Sequence, residues 1–248
     1  MSERMNVLIL GGSKGIGKAT ALRFSKPGNT IFVNYAHDDF AANQTADEIN
    51  GLGASTHLLK ANVGRKTEVQ AMMNEVKRRV DRLDLIVHCA VLTAPGGVFD
   101  ISYELWEEAL RVGSLSLLEV VREALPILKE GSTIIALSSK GATHAIPKYA
   151  ALGTPKALTE SIVKYMVLDL APRGIRVNVV APGPLDTEAY RSVFPNADER
   201  LKAAERANPS GRHITFDDVT ETIAFLASPE AQMIQGRVIV VDGGLGVK

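Results

Sequence analysis

Seven short runs rich in β-branched residues, MNVLIL, TIFVNY, STHLLKAN, LDLIVHCA, STIIALSS, IRVNVVAP and RVIVVDGG, alternate along the chain with longer segments of helical periodicity. A strand that is apolar along its whole length has to be buried on both faces, and the helices between strands supply that cover. Strand-to-strand crossovers of this kind are right-handed. The sequence therefore predicts one α/β domain over residues 1–248. It is Rossmann-type and doubly wound, with a seven-stranded, mostly parallel sheet and helices on both faces. With 248 residues and 46% hydrophobic content, the chain can bury a core of that size. Ligands in such sheets bind beyond the carboxyl ends of the strands, so the residues following each strand carry the functional weight.

Charge and targeting signals narrow the function further. Twenty-eight Lys and Arg cancel 28 Asp and Glu, so the overall balance favours neither nucleic acid nor an anionic membrane as partner. The single Cys89 forms no internal disulfide, and MSERMNVLIL lacks the long apolar run of a signal peptide. No apolar stretch reaches the roughly 18 residues of a membrane helix. A cytoplasmic protein without a metal site is the expectation.

The first strand ends in Gly11-Gly12-Ser13-Lys14-Gly15-Ile16-Gly17, followed by the helical KATALRFS. Glycines permit a tight turn and close approach of backbone to a pyrophosphate. The helix N-terminus behind them presents free N–H groups and a favourable dipole to an anion. Glycines at such a turn also occur for structural reasons alone, but here strand, turn and helix fall in the required order.

The turn resembles that of the short-chain dehydrogenase/reductase family, usually T-G-x-x-x-G-I-G, with Leu10 where threonine is common. Asn62-Val63 matches the family's D-V after the third strand, near the adenine, and His88-Cys89-Ala90 takes the place of N-N-A after the fourth. Asn178 to Thr187, NVVAPGPLDT, resembles the segment that holds the nicotinamide carboxamide, and Gln235-Gly236 and Asp242-Gly243-Gly244 complete the pattern. The resemblance covers essentially the whole chain. It implies a dinucleotide held by Gly11, Ser13, Lys14, Gly15, Ile16 and Gly17 at the phosphate turn, and by Tyr35, Ala36 and His37 at the end of the second strand. Asn62, Val63, Cys89, Ala90 and Lys156 join them, with Pro182, Gly183, Leu185 and Thr187 at the nicotinamide. No acidic residue stands in VNYAH where NAD-preferring relatives bind the ribose diol. Lys14 and a protonatable His37 would instead attract a 2′-phosphate, so NADPH (NADP+) is the expected cofactor.

In the ordinary family the proton donor is the tyrosine of Y-x-x-x-K. Four residues before Lys156 stands Leu152, which has no proton to give, and Tyr149 is the nearest tyrosine. The seven-residue interval, within AIPKYAALGTPKALTE, resembles the enoyl-acyl-carrier-protein reductases of the same superfamily. The ordinary phosphate turn, with KANVG at 60 to 64, FPN at 194 to 196 and MIQG at 233 to 236, points to the NADPH-dependent branch found in some bacilli. That likeness implies reduction of the 2,3-double bond of an enoyl thioester carried on acyl carrier protein or coenzyme A. Tyr149 would serve as donor, Lys156 would hold the ribose and favour phenolate character, and Ser139 would assist at the thioester carbonyl. The helix asparagine of the family's proton relay falls at Gly113, which has no side chain. Homotetramers are the rule in the family.

Two readings of the helix stay open. A continuous helix turns through about 700° in seven residues, placing Tyr149 and Lys156 on one face. Thr154-Pro155, however, is a good N-cap and first-turn pair, which would start the helix at Thr154 and leave Tyr149 in the approach to it. Residues Leu185 to Arg212, with Tyr190, Val193, Phe194 and Leu201, form the longest insertion after a strand. They read as a substrate lid or as surface helices packed on the core. Ala94-Pro95-Gly96-Gly97 is expected to form another wall. Two alternatives to enoyl reduction remain: a 3-ketoacyl or other carbonyl reductase, and a catalytically impaired dinucleotide-binding regulatory or scaffold protein.

Overall fold

The computed structural model describes residues 4–247, so residues 1–3 and 248 of the expected domain lie outside the described residues. Seven strands form one sheet: β1 (Asn6–Leu10), β2 (Thr30–Tyr35), β3 (Ser55–Lys60), β4 (Leu83–His88), β5 (Leu128–Leu137), β6 (Arg176–Pro182) and β7 (Val238–Val241). Their spatial order is β3-β2-β1-β4-β5-β6-β7. Every pairing is parallel rather than mostly so, from Leu8 opposite Phe32 on one side to Val180 opposite Ile239 on the other. The last strand is shorter than RVIVVDGG suggests, because its glycines turn away from the sheet at positive φ.

Side-chain alternation along the strands divides the core in two. Leu8, Leu10, Ile86, Ile134, Val177 and Val179 point to the face covered by α3 (Lys66–Arg79), α5 (Ser116–Ala124) and α6 (Ala150–Leu170). Val7, Ile9, Val33, Val87, Ile135 and Val180 point to the face covered by α1 (Gly15–Phe24), α2 (Asp39–Gly51) and α9 (Phe216–Ala227). Strands buried on both faces need apolar residues at every position, which is why the runs read as continuous. Strand order reverses between β1 and β4, and a crevice opens there beyond the carboxyl ends.

Three further helices shape the cleft. α4 (Tyr103–Leu110) begins at Ser102, whose hydroxyl accepts from the Leu105 N–H at 3.3 Å, and it runs through a π-helical turn, Arg111–Leu115, into α5. α7 (Glu188–Val193) and α8 (Ala197–Ala207) occupy the 185–212 insertion. No helix among the described residues is long and apolar enough to cross a membrane.

Candidate active site

Beyond the ends of β1, β2, β4, β5 and β6 lies a cleft of about 550 Å³. Every residue assigned above to cofactor or catalysis lines it, from Gly11 through Tyr35, Asn62, Ala90 and Ser139 to Thr187. At the phosphate turn, Gly11 (φ 71°) and Gly15 (φ 52°) occupy the left-handed region. Gly17 lies against the Gly11 carbonyl, and a side chain there would overlap that oxygen. Asn34 braces the turn from β2, its carbonyl accepting from the Gly11 N–H at 3.3 Å while its amide donates to the Leu59 and Ala61 carbonyls. The turn thus presents backbone N–H groups at the start of α1 with no side chain in the way, which suits a pyrophosphate.

At the adenosine end the pattern is more mixed than the sequence suggests. The Lys14 ammonium lies 2.7 Å from an oxygen of Asp38 and 2.7 Å from one of Glu188. These two carboxylates hold its pKa above the ordinary value, Asp38 most strongly. Asp38 also caps α2, accepting from the Ala41 N–H at 2.9 Å. Neither acid was expected from the sequence. The first stands one residue past the VNYAH segment, and the second comes from the insertion, so only folding brings them to Lys14. His37 lines the same end, exposed.

The helix carrying Lys156 starts at Ala150, with Tyr149 at its N-cap, and not at Thr154. Pro155 lies inside it. Proline removes the bond that residue 155 would donate to the Ala151 carbonyl, yet the helix holds because Gly153 donates to Tyr149 and the helix continues to Leu170. The Pro155 ring fits against Gly113, where an added Cβ would come within 2.9 Å of it. Gly113 is therefore the partner of Pro155: the glycine at the relay asparagine's place makes room for a proline in the facing helix. Thr159 tightens the junction, its hydroxyl within 3.2 Å of the Gly113 carbonyl and 2.9 Å of the Pro155 carbonyl.

Lys156 is 4% exposed and its Nζ has no hydrogen-bond partner. Burial pulls its pKa down to about 8, with Cys89 acting slightly the other way. A buried ammonium without acceptors is costly, and an orphan donor in the cleft floor is what a cofactor's ribose hydroxyls would satisfy. His88 lies beneath, fully buried. Ser116 Oγ donates to the Val112 carbonyl at 2.7 Å, so it accepts from His88 Nε2–H at 2.7 Å, leaving Nδ1 unprotonated and without a partner. Burial, and then the Lys156 charge, push the His88 pKa down to about 3. Burial also raises the Cys89 thiol to about 12, so it lines the cleft as an inert wall.

Tyr149 also lines the cleft. Burial raises its pKa, a hydrogen bond with Ser139 acts the opposite way, and the nearby Tyr190 adds to the rise. Ser139 Oγ accepts from the Gly141 N–H at 3.2 Å, fixing a short turn on which the Tyr149 ring packs. Ser138, which also lines the cleft, donates to Glu160 at 2.5 Å. Over Tyr149 lies the 185–212 segment. Leu185 to Ser192 contribute to the cleft lining, and Val193, Phe194 and Ala197 pack the helices behind it, with Leu152. The expected wall at Ala94 to Gly97 is displaced: Val91, Leu92 and Thr93 line the cleft, while Ala94 is buried against Ile101, Ala109 and Ala151. Gly96 instead pairs with Tyr149 in an isolated parallel bridge. Phe194 was visible in the sequence only as an aromatic in the insertion; its place over Tyr149 was not.

Comparison with known proteins agrees with this geometry. A family model described as "Enoyl-(Acyl carrier protein) reductase" matches residues 11–246. The 1-cyclohexenylcarbonyl-CoA reductase of Streptomyces collinus is 34% identical, covering 99% of this chain and 88% of that protein. Versicolorin reductase 1 of Aspergillus parasiticus is 32% identical, covering 96% and 94%. A crystal structure of a short chain dehydrogenase from Burkholderia cenocepacia in complex with NADP superposes with a TM-score of 0.88 at 26% identity, covering 98% of each chain. A glycine cradle at the switch point, a buried lysine in the cleft floor and matches of this extent lead to one conclusion: the chain belongs to the short-chain dehydrogenase/reductase family and is an NAD(P)H-dependent oxidoreductase.

Proposed function

We propose that the protein reduces the 2,3-double bond of an enoyl thioester with NADPH. The observation that carries this reading is the placement of Tyr149 in the same cleft as the buried Lys156, while the position of the ordinary family tyrosine is filled by Leu152. The likeness to a cyclohexenylcarbonyl-CoA reductase adds support for a thioester of an unsaturated acid. Lys14 supports NADPH, exchanging one of its two carboxylate partners for a 2′-phosphate, with His37 lining the same end of the cleft.

When bound, the cofactor supplies the reducing equivalent to the β-carbon of the enoyl group. The chain's own residues then hold the cofactor along its length and place the proton donor. Gly11, Ser13, Gly15, Ile16 and Gly17 hold the pyrophosphate. Tyr35, Ala36, Asn62, Val63 and Ala90 surround the adenosine, and Pro182, Gly183, Leu185 and Thr187 fix the nicotinamide carboxamide. The Lys156 Nζ donates to the ribose, while the hydrogen bond with Ser139 offsets part of the cost that burial places on phenolate in Tyr149. Tyr149, with Ser139 beside it, donates to the thioester oxygen as charge develops there.

A second reading, reduction of a carbonyl, is favoured by the ordinary phosphate turn and by the likeness to versicolorin reductase 1. Crotonyl and acetoacetyl thioesters supplied in parallel with NADPH, followed by loss of absorbance of the reduced cofactor, separate the two. Turnover of crotonyl thioester is expected. Turnover of acetoacetyl thioester alone would replace the first reading by the second, and tight NADPH binding without either would indicate a binding protein. Assembly as a homotetramer and coenzyme A or acyl carrier protein as the thioester carrier belong to the same proposal, and sedimentation of the purified protein tests the former.

A further inference from the structure

Lys156 and Tyr149 are held in different ways. Lys156 sits inside a 21-residue helix with its side chain enclosed. Tyr149 stands at the N-cap of that helix, and it follows Lys148, whose φ is 63°. Its backbone is tethered by donation to Ile146 at 3.1 Å and by the Gly96 bridge. One edge of the ring packs on the turn at Gly141, beside Ser139, which leaves its face open to the covering segment.

The ring is fixed from above. Phe194, in the turn between α7 and α8, stacks on Tyr149 with ring centroids 6.0 Å apart and planes 3° from parallel. Phe194 is itself clamped. Tyr190 packs against it at 4.8 Å and 55°, and the Arg200 guanidinium lies 4.1 Å from its centroid. Offset stacking and a cation over an aromatic face both favour one ring orientation. Phe194 does not line the cleft, whereas Tyr149 and Tyr190 do. Its contacts are with the donor's ring, with Leu152 behind it and with the covering helices, and it does not itself reach the space a substrate would fill.

We infer that Phe194 is a positioning residue for Tyr149, so that the segment covering the cleft also sets the proton donor. The inference rests on Tyr149 being that donor. Its consequence is a coupling: with α7 and α8 lifted, Tyr149 loses the surface that orients it, and the donor is in place only when the cleft is covered.

Phe194→Leu keeps an apolar side chain but removes the stack. Its kcat with crotonyl thioester is expected to fall about tenfold, as a displacement of the donor by a fraction of an ångström would produce. KM for the thioester and the NADPH dissociation constant from fluorescence titration stay within about twofold, because neither ligand is touched. Phe194→Tyr, which keeps the ring, restores the rate. Should Phe194→Leu fail to fold, Phe194→Met takes its place, since methionine fills irregular space. Unchanged kcat, a change in KM alone, or a rate that stays low in Phe194→Tyr each overturns the inference. Tyr149→Phe is measured alongside. If it is slow while Phe194→Leu is not, the positioning role falls and the donor stands; if Tyr149→Phe turns over at full rate, the donor assignment falls and this inference with it.

Discussion

At the phosphate turn the left-handed backbone angles fall on Gly11 and Gly15, whereas across the cleft, just before Tyr149, the same region is occupied by Lys148. Lys148 is the one non-glycine residue at positive φ among the described residues. On the cofactor side the chain adopts its shape without strain, and the site is built from strand ends and backbone N–H groups. On the substrate side a residue that resists the conformation is held in it by its surroundings: Gly96 donates to the Lys148 carbonyl at 3.3 Å, and Phe194 covers the next residue. A site that receives a constant ligand can be written into local sequence; one that must close over a variable substrate is assembled from distant pieces.

The largest effect that can test this contrast is at Lys156, where the two sides meet. Lys156→Met should lower kcat/KM by about 10³-fold, since the donor to the cofactor ribose and the positive charge beside the reacting groups are lost together. The same change should make the cofactor-free protein more stable. Unfolded, the lysine titrates at its ordinary 10.5; folded, near 8. Between these values the unfolded chain binds more protons, so stability rises with pH over that window, and below pH 8 the full penalty is present, about 3 kcal/mol. A melting temperature that falls in Lys156→Met at pH 7 would show that the ammonium has partners. In the wild type, kcat/KM should decline above pH about 8 as the cation is lost.

Next is Gly17→Ala. Its Cβ has no place beside the Gly11 carbonyl, so the turn must open, with NADPH affinity falling about 100-fold and stability by about 1–3 kcal/mol. An affinity within twofold of wild type would mean that the cradle does not hold the pyrophosphate. Lys14→Ala is milder. It should raise KM for NADPH about tenfold and leave KM for NADH nearly unchanged, because only the former has a 2′-phosphate to lose. Equal effects on both would assign Lys14 to the Asp38 and Glu188 pairs alone.

The smallest effect probes the other side directly. Lys148→Gly removes the left-handed strain, worth about 1 kcal/mol, but adds unfolded-state freedom of similar size. Stability by denaturant titration should therefore change by about 0.5 kcal/mol or less, whereas kcat should drop if the strained residue helps to hold Tyr149. An unchanged kcat would leave the orientation of Tyr149 to Phe194 alone.

That the strand-end residues would meet in one cleft was legible because their signals are local. The G-x-x-x-G-x-G turn, Asn62-Val63 and the segment ending at Thr187 each sit directly after a strand, and strand ends converge by the rules of parallel sheets. Pro155 left two helix starts open because such rules are local. Thr-Pro is a start signal in isolation, but tertiary packing against Gly113 overrode it and carried the helix back to Ala150. Asp38 and Glu188 as partners of Lys14 were beyond local reading, since they are 24 and 174 residues from it in sequence. Phe194 was visible as an aromatic residue, but its ring partner lies 45 residues away, and nothing in FPN says what it stacks on.

By itself the sequence determined the alternation that makes a parallel sheet, the glycines that shape its first turn, and the Leu152 that removes the ordinary tyrosine. Each is a property of one short segment, set by backbone sterics or by the presence of a side chain. The tertiary structure alone decided where the helix before Lys156 begins, that Lys156 is buried without a partner, and that Tyr149 is held by the segment above it. Those depend on which surfaces meet across the cleft, and contact energies between residues far apart in the chain exceed the local preferences that would have set them otherwise.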